Sequence, residues 1–115
     1  MSIGNPEVTI SSTGSTTAGQ MYTLLCTVSI VTGTPNITWL DRNGEEVTEG
    51  NGISLSLRSD MDNDQVYELI FNPLNYSHVG EYTCVSNLTV RRDDVMFRGS
   101  GSDTTTVMAQ SKLIL

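Results

Sequence analysis

Apolar residues recur along this chain with period two, in short runs separated by Gly, Asn, Asp and Ser, and no stretch shows the spacing of an amphipathic helix. Glu7 to Ser11 predicts a first strand with Val8 and Ile10 on one face. The clearest pattern is Met21 to Val31, where Tyr22, Leu24, Cys26, Val28 and Ile30 share one face and Thr23, Thr27 and Ser29 dominate the other. Strands are also predicted over Ile37 to Leu40, Ile53 to Leu57, Val66 to Phe71 and Gly80 to Val90, with a short one over Glu45 to Val47. A last strand covers about Thr104 to Gln110, with Val107 and Ala109 inward. Gly14 to Gly19, Gly33-Thr34-Pro35, Arg42-Asn43-Gly44, Glu49 to Gly52 and Asp60 to Gln65 read as turns, and Pro73 as a stop. Seven to nine short strands at this spacing predict an all-β, antiparallel sandwich.

At 115 residues the chain is long enough for a single domain, with its core over about 6–110. The 37% of hydrophobic residues can fill one thin core. Thirteen acidic side chains against six Lys and Arg leave a net charge of −7, which repels phosphate backbones and anionic lipid surfaces. Nucleic acid and direct membrane insertion are therefore not expected as partners. No run approaches the roughly 18 apolar residues of a membrane helix, and the start resembles no secretory leader. Met1 reads as an expression start, and the abrupt Lys112-Leu113-Ile114-Leu115 end suggests a module cut from a tandem array.

Cys26 and Cys84 are the only cysteines. Two buried thiols in a cytosolic protein are one reading, and a long-range bridge in a secreted domain is the other. Alternation places both on inward faces. Cysteines on facing sheets about 10 Å apart can be joined by a disulfide. Such a bond would stabilise the domain by about 4 kcal/mol through loop closure. Trp39, the only tryptophan, also faces inward and can pack on it. Three N-x-[ST] sequons, at Asn36, Asn75 and Asn87, are candidate glycosylation sites. The alternation turns Asn36 and Asn87 outward.

Cys26, Trp39 and the stretch Leu69, Phe71, Leu74, Gly80, Tyr82, Cys84 resemble the immunoglobulin superfamily. That family precedes its second cysteine with Asp-x-Gly-x-Tyr-x-Cys, and His78-Val79-Gly80-Glu81-Tyr82-Thr83-Cys84 matches except at His78. The resemblance implies an immunoglobulin-like sandwich with an inter-sheet disulfide. It also implies a tyrosine corner in which the Tyr82 hydroxyl bonds upstream backbone. The family aspartate often pairs with an arginine, for which Arg58 is the candidate. His78 removes that ion pair, and a hydrogen bond is the expected substitute. The interval from Trp39 to Cys84 is similar to the I-set, whereas Phe97-Arg98-Gly99-Ser100-Gly101 is similar to the variable-domain Phe-Gly-x-Gly bulge or is a plain Gly/Ser-rich loop. The phrasing of residues 8–12 and 18–20 resembles sponge receptor tyrosine kinase ectodomains and related adhesion receptors.

Catalytic chemistry has little to stand on, because a single histidine supplies no nucleophile–base–orienter set. A kinase domain elsewhere in the parent protein is compatible with this. Asp60-Met61-Asp62-Asn63-Asp64 opens like a calcium loop but lacks its glycine and its bidentate glutamate, so neither a metal nor any cofactor is expected. The thirteen residues Arg91 to Asp103 join the last two strands where binding loops cluster. They are read either as a recognition loop, with Arg91, Arg92, Val95, Met96, Phe97 and Arg98 as partner-binding candidates, or as an extended hairpin. The expected function is an extracellular recognition module of a cell-surface glycoprotein receptor. It would bind a protein ligand or a second copy of itself in adhesion or signalling. A structural spacer in a multi-domain ectodomain is the alternative.

Overall fold

The computed structural model describes residues 6–29, 35–59 and 64–111, with the side chains of Ser59, Asp64, Arg92 and Phe97 excepted. Seven strands form among them: β1 (Glu7–Gly14), β2 (Tyr22–Ser29), β3 (Asn36–Leu40), β4 (Ile53–Ser59), β5 (Asp64–Phe71), β6 (Gly80–Arg92) and β7 (Val95–Val107). They build two antiparallel sheets, β1-β2-β5-β4 and β3-β6-β7. Of the two readings of Arg91 to Asp103, a loop or an extended hairpin, the structure shows the hairpin: all of the segment but the Asp93-Asp94 turn lies in strand. Phe97 to Gly101 likewise runs in regular register with β6 and forms neither a bulge nor a loop. Glu45 to Val47 makes one bridge, Leu40 to Glu46, and no strand. The final strand ends at Val107. Ile30, Val31, residues 60–63 of the acidic turn and the last four residues lie outside the described residues.

Alternation makes each sheet one-sided. On β2, Tyr22, Leu24, Cys26 and Val28 are buried. On β5, Leu69 and Phe71 are buried, and Leu74 follows just beyond the strand. From the other sheet Trp39, Tyr82, Cys84, Leu88 and Val107 close the core. A disulfide joins Cys26 to Cys84, with their Cα atoms 6.4 Å apart. Trp39 is the cross-strand partner of Cys84, which sets the indole in the same buried row as the bridge.

The first strand touches both sheets. β1 pairs with β2, yet the Ile10 amide donates to Asp103 Oδ2 of β7 at 2.8 Å. Thr17 then bridges Gln110 in parallel, with Ala18 N–H donating to Gln110 O at 2.8 Å. This crossing explains Gly101. A Cβ there would lie 2.2 Å from the Pro6 carbonyl oxygen, closer than any side chain permits.

The signature turn is held by hydrogen bonds. Asn75 caps a short 3-10 helix (Tyr76–His78): its Oδ1 accepts from Ser77 N–H at 2.9 Å, and its own N–H donates to His78 Nδ1 at 3.1 Å. Because Nδ1 accepts, the proton sits on Nε2, which donates to the Asn51 carbonyl at 2.8 Å. His78 is buried and packs against Phe71 with ring centroids 4.9 Å apart. The histidine thus ties the 3-10 turn to the loop before β4, and Arg58 lies exposed on β4. Tyr82 Oη donates to His78 O at 2.8 Å, which is the tyrosine corner. Gly80 adopts φ +142°, and a Cβ there would press to 3.1 Å from Arg42 Cδ, so the signature glycine answers both backbone and space.

Two predictions follow from this packing. Ser86 is fully buried, and among the described residues its Oγ has no hydrogen-bond partner. Ser86→Ala removes an unpaired buried hydroxyl, so denaturant unfolding should show a gain of about 1 kcal/mol; a loss of stability would contradict the assignment. Burial raises the Tyr82 phenol above its ordinary range, Asp41 raises it further and Arg42 opposes. The folded state therefore keeps the proton that the unfolded chain releases near pH ~10. This contribution is whole below that pH and is lost as pH rises through the folded value. Tyr82→Phe should cost about 1 kcal/mol at neutral pH and flatten the alkaline fall in stability. Some slope should remain, because burial also raises Tyr67.

Candidate functional site

The β6–β7 hairpin is the longest pairing among the described residues, running from Gly80 opposite Val107 to Arg92 opposite Val95. β3 pairs only with residues 83–87 of β6. Beyond Asn87 the two strands continue for five residues each, a projection of about 17 Å at strand rise. They reverse in the two-residue turn Asp93-Asp94, whose φ values of 52° and 64° are those of a type I′ turn. That turn matches the right-handed twist of its strands and keeps the ribbon paired to its end.

Register fixes what the projection presents. Arg91 faces Met96 across the pair, Thr89 faces Arg98, and Asn87 faces Ser100, all on the outer face. Met96 is 48% exposed and Val95 52% exposed. The Arg98 guanidinium reaches the Met96 sulfur at 3.6 Å. Arg92 pairs with Val95 and Phe97 with Val90 along the backbone, and their side chains lie outside the described set. Of the six partner-binding candidates, Arg91, Val95, Met96 and Arg98 therefore share the projecting end. Three of the chain's six cations fall there against two aspartates, on a molecule of net charge −7. Asp41, Glu45, Glu46 and Glu49 lie at the opposite end, after β3 runs out beside the start of β6.

Toward the base, the outer face of the second sheet is flat and polar. Thr83 and Thr104 share a hydroxyl hydrogen bond of 2.8 Å across the strands. Asn36 and Asn87, both exposed, are direct cross-strand partners. Asn75 sits apart, at the cap of the 3-10 turn. Both ring nitrogens of His78 are occupied by backbone groups, so the histidine offers no base to a substrate. Among the described residues no cluster of three His, Cys, Asp or Glu could hold a metal, and no helix is long and apolar enough to cross a membrane.

A family model described as an immunoglobulin domain matches residues 5–87. The chain belongs to that family. Among solved structures, one of the BTLA ectodomain is similar to this chain, with a TM-score of 0.61 and 18% sequence identity. It covers 92% of this chain and 99% of that one. A likeness at that identity speaks for the immunoglobulin fold. No curated protein matches the chain. Neither match supports the narrower resemblance to sponge receptor tyrosine kinases. The family match also ends at Asn87, so the projecting end of this immunoglobulin domain lies beyond what the family model describes.

The turn itself can be tested. Two aspartates at positive φ carry a steric cost that Asn-Gly avoids. Replacing Asp93-Asp94 by Asn-Gly should raise stability by roughly 0.5–1 kcal/mol. It should also leave the β6–β7 amide protection pattern unchanged. Protection lost beyond Leu88 would show that the ribbon does not pair to its end.

Proposed function

We propose that the chain is an extracellular immunoglobulin-type recognition module of a cell-surface receptor, binding a protein partner through the projecting end of the β6–β7 hairpin. The observation that carries this reading is Val95 and Met96, each about half exposed at the end of a ribbon that extends past its own sandwich, with Arg91 and Arg98 beside them. A pure spacer has no use for exposed apolar side chains there. Met and Arg are favoured at interface centres, where apolar contact supplies affinity and the guanidinium fixes register. The local excess of arginine on an acidic chain favours an acidic partner surface, and the acidic end of a second copy has that character.

The same chemistry supports an extracellular compartment. A disulfide between the sheets is kept in oxidising surroundings, and the BTLA structure of similar fold is itself an ectodomain. Residues of about 6–110 are read as one domain of a larger membrane-anchored glycoprotein that acts in adhesion or signalling. In this reading the module recognises and does not catalyse.

The test uses tetramers of the disulfide-bonded chain to stain cells and to measure self-association by sedimentation velocity. Met96→Ser with Arg91→Ser should lower whichever binding is found by at least about tenfold, since two central contacts at roughly 1 kcal/mol each suffice. Leu57→Ser, at an exposed position on β4, should leave it unchanged. Equal binding by all three proteins would remove the hairpin from the interface.

A further inference from the structure

The register of the second sheet places two sequons in one row. Asn36 on β3 lies directly opposite Asn87 on β6, and Ser100 of β7 continues the row. Both asparagines are exposed on the outer face, because the residues flanking Asn87, Ser86 and Leu88, are buried in the core. Their threonines point the row in opposite directions. Thr38 lies toward the base, and Thr89 lies toward the tip beside Arg98. Cross-strand neighbours hold their Cβ atoms only about 4.5–5.5 Å apart. Two glycans rooted in this pair therefore start from adjacent positions and compete for the same patch of the outer face.

We propose that Asn36 and Asn87 act as a single glycan site: a folded molecule carries one N-linked glycan on the pair, on Asn36, and Asn87 stays bare. In the modification, Asn Nδ2 attacks the anomeric carbon of an oligosaccharide carried on a polyprenyl diphosphate. The N–C bond forms, the C–O bond to the diphosphate breaks, the diphosphate departs with the electron pair, and Nδ2 gives up a proton. Asn36 is the favoured member for two reasons. It is made first, and it sits on the edge strand of its sheet, at the end away from the Leu40–Glu46 bridge. Asn87 is on the central strand, between Asn36 and Ser100. A chain modified at both must fold with two branched glycans pressed together, and its folded state is penalised.

The single glycan has a structural consequence. It covers the outer face at the start of β3, short of the stretch that Val47 N–H already caps by donating to the Trp39 carbonyl. The hairpin end lies five residues further on, about 17 Å away at strand rise, and remains clear.

The experiment fuses a secretory leader ahead of the chain, so the result does not depend on the receptor reading. Secreted, folded protein is analysed by intact mass, and each sequon is then read by amidase release in heavy-oxygen water with peptide mapping. One glycan on the pair is expected, located at Asn36, with doubly modified chains confined to the cell-retained fraction. Asn36→Gln and Thr38→Ala should each shift occupancy to Asn87. Thr38→Ala leaves Asn36 itself in place, so an effect shared by both variants reports the lost glycan. A principal secreted species carrying both glycans overturns the proposal. So does a wild-type pair that is bare, or an Asn87 that stays bare in both variants.

Discussion

The bond between Cys26 and Cys84 sits where the two sheets have most to gain from being joined. Cys26 lies on β2, between Ile10 of β1 and Tyr67 of β5, and Cys84 lies on β6, between Trp39 of β3 and Asp103 of β7. A single covalent link therefore spans interior strands of both sheets. The apolar set it braces is small, essentially one layer from Tyr22 and Phe71 at one end to Val28 and Leu88 at the other. A core this thin leaves little margin against chain entropy, and a cross-link that restricts the unfolded chain supplies what burial alone does not.

Around that centre, backbone hydrogen bonds from side chains carry the ends of the sandwich. Asp103 holds β1 against β7, and Asn75 with His78 holds the turn before β6. Tyr82 ties that turn back to its own strand. His78 occupies the place where the family has an acid that pairs with arginine, and it meets the same structural need with neutral hydrogen bonds, from Asn75 and to Asn51. With both ends secured in this way, β6 and β7 can run on beyond the sandwich. Projection carries the apolar and basic groups of Arg91, Val95, Met96 and Arg98 clear of the sandwich.

Much of the fold was legible because one-sided burial writes itself into the chain. Strands β2 and β6 alternate cleanly, since each buries one face and wets the other. The same alternation turned Cys26, Trp39 and Cys84 inward and the sequons at Asn36 and Asn87 outward. The hairpin end was legible only as one of two readings, loop or extended hairpin, and for the same reason. Past Asn87 the ribbon has no second sheet on its outer face and little core beneath it, so nothing demands alternating apolar residues. Gly99 and Gly101 read as loop glycines, whereas Gly101 is needed where Pro6 crosses within contact distance.

The sequence alone determined that this chain is a β-sandwich of immunoglobulin type, that its two cysteines meet in the core beside the tryptophan, and that Tyr82 closes a corner. The sandwich and the inward turn of the cysteines and the tryptophan follow from local spacing, because period two decides which face a side chain takes, whereas the immunoglobulin type and the Tyr82 corner are what the resemblance to that family implied. Tertiary structure decided how far the last hairpin extends, which backbone groups satisfy His78, and that Asn36 and Asn87 stand in one row. Those are questions of register between segments distant along the chain. Register is settled only when sheets pair and turns close, and spacing within a strand carries no record of it.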